Sequence, residues 1–153
     1  MEELSTIPTP CTTKIQALRD SIAQIIVGQT QATDLLLTSV IARGHVLIEG
    51  VPGVAKTLLA RVMAQLIDAR FSRVQFTPDL MPSDVLGTTV YNMKTGDFDF
   101  HPGPVFADVV LADEINRAPA KTQAALFEVM EERQVTVDGT PRAMSDVFTI
   151  IAT

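Results

Sequence analysis

The sequence predicts an α/β fold, with a mainly parallel sheet between two layers of helices. Short apolar runs typical of buried strands alternate with segments whose apolar residues recur at helical spacing. A loop of small residues and a pair of acidic residues each come directly after a strand-like run. Such sheets bind ligands at the carboxyl ends of their strands. The length of 153 residues, 46% of them hydrophobic, is that of one domain with a buried core.

The first half of the chain predicts three helices and one strand after a loose leader. Residues 1–13 are expected to be disordered, because Pro8 and Pro10 would block a helix. Apolar spacing and the short run "HVLIE" then predict helices over 14–26 and 30–42, a strand over 45–49 and a helix over 57–68.

The second half predicts three strands, one helix and two hairpins. Two β-prone runs flank "KTG" within the proline- and glycine-rich region 77–104, and an Asp-Gly turn divides "RQVTVDGTPRAM". Each pattern is typical of a β-hairpin. The most strand-like segment is "VVLAD". The elements predicted here are strands over 73–76, 109–113 and 147–153, a helix over 121–132, and hairpins within 77–104 and 133–144.

Composition excludes several classes of protein. The net charge of −6 argues against a general nucleic-acid-binding surface. No apolar run approaches the roughly 18 residues that a membrane span needs, and the acidic, proline-broken N-terminus is not typical of a signal peptide. The single Cys11 cannot form a disulfide within the chain. These features indicate a cytoplasmic protein.

The stretch "GVPGVAKT", residues 50–57, predicts a phosphate-binding loop between a strand and a helix. Backbone N–H groups can surround phosphate oxygens there, the Lys56 ammonium can reach the terminal phosphates, and the Thr57 hydroxyl can bind Mg²⁺. Ala55 stands where the usual pattern has glycine, which matters little if its backbone is near-helical. The alternative is a chance turn of small residues. The predicted ATP contacts are Gly50, Val51, Pro52, Gly53, Val54, Ala55, Lys56, Thr57 and Leu58.

The adjacent acids Asp113 and Glu114 follow the strand-like "VVLAD". Beside a phosphate loop, Asp113 can hold Mg²⁺, which prefers oxygen ligands, and Glu114 can orient or deprotonate an attacking water. The alternative is that the acids cap the following helix. Arg117 stays open between a contact with a neighbouring subunit's nucleotide or with the pore and a solvated position at a helix start.

Four stretches together resemble the MoxR family of AAA+ ATPases. They are "EGVPGVAKT", "FTPDLMPSDVLGT", "GPVFADVVLADEINRAPAKTQAALFEVMEERQVTVDG" and "FTIIAT". The resemblance covers residues 14–153 and implies a P-loop NTPase core of three αβα layers with β-hairpin insertions. It further implies that Gly50 to Thr57 form the Walker A loop, that Glu114, at the end of Walker B, is the catalytic base, and that Val27 and Gly28 contact adenine.

The same resemblance implies a cofactor, an assembly and partners. The family uses ATP with Mg²⁺, commonly forms hexamers whose hairpins face a central pore, and remodels or matures partner complexes such as metalloenzymes. Its partners often carry a von Willebrand factor A domain. The family pattern continues beyond Thr153 into sensor 1, an arginine finger and a helical lid. The expectation is therefore an incomplete core, truncated before its last strand, with the strand before the phosphate loop at the sheet edge.

Two other functions stay open on the sequence. The hairpins could make this a nucleotide-independent interaction module. A relative of magnesium chelatases or of DNA-restriction ATPases would carry the same hairpin insertion, although the acidic charge weighs against DNA.

Overall fold

The structure is a computed structural model that describes residues 10–50 and 56–153. Its elements alternate between helices and strands as predicted. The helices are α1 (Pro10–Ile25), α2 (Thr30–Ile41), α3 (Lys56–Leu66), α4 (Pro82–Leu86) and α5 (Ala120–Glu132), with a 3₁₀ turn at Ile115–Arg117. The strands are β1 (Val46–Leu47), β2 (Phe71–Gln75), β3 (Gly87–Asn92), β4 (Asp97–Pro102), β5 (Val109–Asp113), β6 (Gln134–Val137), β7 (Thr140–Ala143) and β8 (Thr149–Ala152).

The central sheet has four parallel strands in the order β1-β8-β5-β2. Because the strands are parallel, their carboxyl ends all meet at one edge of the sheet. The strand before the phosphate loop, β1, lies at a lateral border of this sheet, as expected from the sequence.

Successive side chains of β5 enter opposite cores, which produces the three layers. Val110 and Ala112 belong to a core cluster with α4 and α5, which includes Leu126. Val109 and Leu111 belong to a second cluster with α1, α2 and α3. Since strand side chains alternate between faces, a strand buried on both faces reads as a continuous apolar run. The predicted αβα architecture is confirmed.

Both predicted hairpins are present. β3 pairs antiparallel with β4, and β6 with β7. The second hairpin turns through Asp138 and Gly139, which have φ values of 50° and 75°. An Asp-Gly pair tolerates two such residues in succession, which a tight hairpin turn requires.

Two predictions about helices are corrected. α1 begins at Pro10 instead of residue 14, because proline is well suited to the first turn of a helix, where its missing N–H has no partner to lose. Residues 10–13 are therefore helical, and the rest of the predicted leader lies outside the described residues. The short helix α4 was not predicted. Its five residues hold no helical repeat, and the Asp84 carboxylate accepts a hydrogen bond from the Met81 N–H at 2.8 Å.

Within the described ranges, no helix is long and apolar enough to cross a membrane.

Candidate functional site

Lys56 and Gly50 lie at the carboxyl edge of the sheet, after β1. Lys56 is the first residue of α3, and its Nζ donates a hydrogen bond to the Gly50 carbonyl oxygen at 2.9 Å. Thr57 and Leu58 follow in the first turn of the helix, Thr57 partly buried and Leu58 exposed. The other predicted loop residues, Val51, Pro52, Gly53, Val54 and Ala55, lie outside the described part of the chain.

α3 is anchored by its apolar face, so its N-terminus has a fixed position. Its buried residues pack into the cluster that includes Val109 and Leu111 of β5. The positive end of a helix dipole, together with N–H groups that have no partner within the helix, favours an anion at this position. The buried residues of α3 are Leu59, Ala60, Val62, Met63 and Ala64.

Asp113 ends β5 at the same edge, and Glu114 turns the chain away from the sheet. Glu114 has φ 56° and ψ 46°, a left-handed conformation that is uncommon for a residue other than glycine. Thr153 holds this turn, since its hydroxyl accepts the Glu114 N–H at 3.2 Å and its carbonyl accepts the Ile115 N–H at 3.1 Å. Glu114 makes no capping hydrogen bond to the 3₁₀ turn that follows, so the capping alternative has no support here.

Among the described residues, two neighbours bind the carboxylate of Asp113. The Thr153 hydroxyl donates to Oδ1 at 2.6 Å, and Arg73 donates to Oδ2 from Nη2 at 2.6 Å and from Nε at 3.2 Å. Burial raises the pKa of Asp113, but these hydrogen bonds and the positive charges of Arg73 and Lys56 outweigh burial and lower the pKa below its usual value. Asp113 is therefore ionised at neutral pH, and the Lys56 charge acts on it.

Glu114 has an arginine beside it too. Arg117 Nε lies 2.9 Å from Glu114 Oε2. This is a close ionic contact without the alignment of a hydrogen bond, since the Oε2 atom is buried and accepts none. Arg117 thus pairs within its own chain, and its side chain is still 62% exposed.

Val27 and Gly28 form the turn between α1 and α2. Val27 is 88% exposed, and Gly28 has φ +80° with open space around it. Ile26, the preceding residue, belongs to the same core cluster as Leu59 of α3. The turn is therefore attached to the layer that contains the start of α3, and its exposed side chain is accessible to a ligand.

Arg73 and Thr153 were missed from the sequence. They reach Asp113 only because β2 and β8 flank β5: Gln75 pairs with Asp113, and Thr153 follows Ala152, the partner of Ala112. Arg73, two residues before Gln75, points to the same face. The alternation of side chains in β2 and the place of Thr153 directly after β8 would have identified them only if the strand order had been known.

The residues at this edge fit a magnesium nucleotide. An ionised carboxylate and a threonine hydroxyl are hard oxygen ligands of the kind that Mg²⁺ takes when phosphates and water complete its shell. Among the described residues, no group of three or more His, Cys, Asp or Glu side chains could hold a metal by itself.

Comparisons with known proteins give the family of the chain. The model of the "ATPase family associated with various cellular activities (AAA)" matches residues 45–153. The uncharacterised protein YeaC of Bacillus subtilis is 51% identical over 134 residues, which are 88% of this chain and 42% of YeaC. The chaperone MoxR1 of Mycobacterium tuberculosis is 51% identical over 132 residues, which are 86% of this chain and 35% of MoxR1.

A solved structure extends the likeness to the fold. The crystal structure of a protein assigned as an ATPase from Cytophaga hutchinsonii superposes with a TM-score of 0.82 at 46% identity, covering 92% of this chain and 43% of that one. The chain thus spans less than half the length of these three relatives.

Proposed function

Because the chain belongs to the MoxR family of AAA+ ATPases, we propose that it is the ATP-binding core of a chaperone-like ATPase that remodels or matures partner complexes. One observation carries the proposal. Lys56, at the start of α3 after β1, and Asp113, at the end of β5, both lie at the carboxyl edge of the parallel sheet, and the Lys56 Nζ donates to the Gly50 carbonyl oxygen there. A cation for phosphates and an acid for magnesium therefore share one edge of the sheet.

Each residue of the site has a distinct role in this proposal. Lys56 and the N-terminal amides of α3 bind the phosphates, and Val27 and Gly28 contact the adenine. Thr57 and Asp113 hold Mg²⁺, which neutralises charge on the phosphates when it is bound. Glu114 takes a proton from the attacking water. Hydrolysis then depends on positioning and electrostatics more than on covalent chemistry.

ATP binding by calorimetry in MgCl₂ tests the proposal. We expect Lys56→Ala to lower ATP affinity at least tenfold, since the variant lacks the charge that reaches the terminal phosphates. Lys94→Ala is the matched control, because it removes a lysine from the exposed turn of the first hairpin, and its affinity should equal that of the parent chain. Equal binding by the parent and Lys56→Ala would reject the site.

The assembly and partners proposed for the whole protein follow from the family. We propose a cytoplasmic hexamer that binds ATP and ADP and acts on a protein client, such as a metalloenzyme, with a von Willebrand factor A domain protein as partner. The first hairpin exposes apolar side chains, Met93 by 88% and Phe98 by 72%. Exposed apolar patches commonly mark protein contacts.

This exposed hairpin also favours a second candidate function, an interaction module that works without nucleotide. The two functions differ in one observable. If ATP drives remodelling, capture of a partner should change between ATP and EDTA, and Lys56→Ala should abolish the change. A module that ignores nucleotide would capture the partner equally under all of these conditions.

A further inference from the structure

Two arginine–carboxylate pairs join the edge strand β2 to the central strand β5, one at each end. Arg70 and Asp108 directly precede the two strands, with Arg70 Nε 3.1 Å from Asp108 Oδ2. Arg73 and Asp113 pair at the carboxyl ends, with Arg73 Nη2 2.6 Å from Asp113 Oδ2. The first pair lies away from the nucleotide edge, whereas the second occupies the carboxylate that we assign to magnesium.

The contacts of Arg73 place a permanent positive charge on Asp113, the acid that we assign to magnesium. Its Nη2 donates to Asp113 Oδ2 and, at 2.8 Å, to Gln75 Oε1. The other oxygen of Asp113 accepts the Thr153 hydroxyl, so Oδ2 is the atom that Arg73 and an incoming cation would share. A guanidinium does not lose its proton in a protein. It can therefore yield this oxygen only by moving.

The surroundings of Arg73 allow that movement. Its side chain is 45% exposed, whereas that of Asp113 is 19% exposed. Gln75 gives the guanidinium a second acceptor on its own strand, so Arg73 stays hydrogen-bonded when it leaves Asp113. The acid is held in place by Thr153, and the arginine is the exchangeable partner.

We propose that Arg73 competes with magnesium for Asp113 and thereby sets the magnesium concentration that the protein needs to bind ATP tightly. The inference rests on the proposed function of the site. Arg73 is a positioning residue in this scheme, since it neutralises the acid in the absence of metal and releases it when the magnesium nucleotide arrives. Two cations on one oxygen repel each other, so the two occupants exclude one another.

Calorimetric titration of ATP, first in EDTA and then at rising free MgCl₂, tests this competition. The quantity compared is the magnesium concentration at which half of the metal-dependent gain in ATP affinity is reached. For Arg73→Gln we expect about a threefold lower concentration than for the parent, the size of effect expected for a partly exposed ion pair. Arg70→Gln, which breaks the matched pair at the opposite end, should leave the concentration unchanged.

Each outcome decides a separate point. An unchanged or higher magnesium requirement in Arg73→Gln, with ATP binding intact, overturns the competition alone. Absence of ATP binding by the parent chain, with or without magnesium, overturns the proposed function and the inference with it. If Arg73→Gln does not fold, as judged by circular dichroism, Arg73→Lys takes its place. Its single ammonium cannot reproduce the two-nitrogen contact with Asp113, so a smaller decrease is expected, and no decrease again overturns the competition.

Discussion

His45 is a half-buried histidine held in its neutral form at the entrance to β1. Its Nδ1 accepts the Ile150 N–H at 2.9 Å, and its Nε2 lies 3.3 Å from the Met130 carbonyl oxygen. Since Nδ1 accepts a hydrogen bond and Nε2 donates one, the ring is the tautomer with its proton on Nε2. Burial lowers the pKa of His45, the Met130 carbonyl opposes this, and the charge of Arg133 lowers the pKa further.

This histidine predicts that stability falls in mild acid. The unfolded chain takes up the proton near pH 6.5, the ordinary value, whereas the folded chain resists protonation. The stabilisation is therefore complete above pH 6.5 and is lost as the pH falls through the lowered pKa. Urea unfolding at pH 7.5 and pH 5.5 measures the difference. The parent should lose more stability than His45→Gln, whose amide can accept and donate without titrating; equal losses would contradict this assignment.

At the scale of the elements, the base of the first hairpin depends on close backbone approach. Gly87 begins β3 with φ +97°, and a Cβ there would lie 2.4 Å from the His101 carbonyl oxygen and 2.5 Å from the Gly103 nitrogen. Gly96, in the turn of the same hairpin, has φ +78° but open space around it. An added Cβ would therefore cause backbone strain alone at Gly96, whereas at Gly87 it would cause both backbone strain and steric overlap.

We therefore expect unequal effects from the same substitution in this hairpin. Gly96→Ala should lower the free energy of unfolding by about 1 kcal/mol, because alanine disfavours positive φ. Gly87→Ala should lower it by more than about 2 kcal/mol, since backbone atoms must also move apart. Thermal unfolding of both variants tests this order, and equal losses would show that the base of the hairpin can open without strain.

The elements also mark what the sequence could predict. β5 was predicted with its observed bounds because its first four residues form a continuous apolar run, which is typical of a strand buried on both faces. The sequence does not predict α4, because five residues cannot display a helical period. It predicts that Pro10 blocks a helix, whereas a proline in the first turn is compatible with one. The acids and Lys56 lie in contiguous motifs, whereas Arg73 and Thr153 reach Asp113 across about 40 positions of chain. No local pattern encodes such pairings.

At the scale of the whole molecule, two hydrophobic cores share one sheet. Met63 of α3 is fully buried in one core, and Leu126 of α5 is 1% exposed in the other. We expect Met63→Ala and Leu126→Ala each to lower the free energy of unfolding by about 3 kcal/mol. Leu35→Ala, at a side chain 61% exposed on α2, should change it by less than about 0.5 kcal/mol.

The shared sheet further predicts that both core variants unfold in one transition. Hydrogen exchange measured by mass spectrometry should quicken in α3 and in α5 together, whichever core is altered, because β5 belongs to both. Faster exchange confined to the altered layer would instead reveal two independently unfolding units.

The burial of β5 on both faces also affects how Asp113 responds to thermal fluctuation. Neighbouring residues of the strand pack into cores on opposite faces of the sheet. When a helix on one face moves slightly, the contacts on the other face still hold the backbone of the strand. The backbone of Asp113, at the end of the strand, therefore keeps its position through small movements of a single helix that leave both cores folded. The side chain of Arg73, the partner of Asp113, is 45% exposed and has no such support. A half-buried acid at the end of a packed strand, facing an arginine that can move, makes a site whose backbone geometry persists while its electrostatic potential changes.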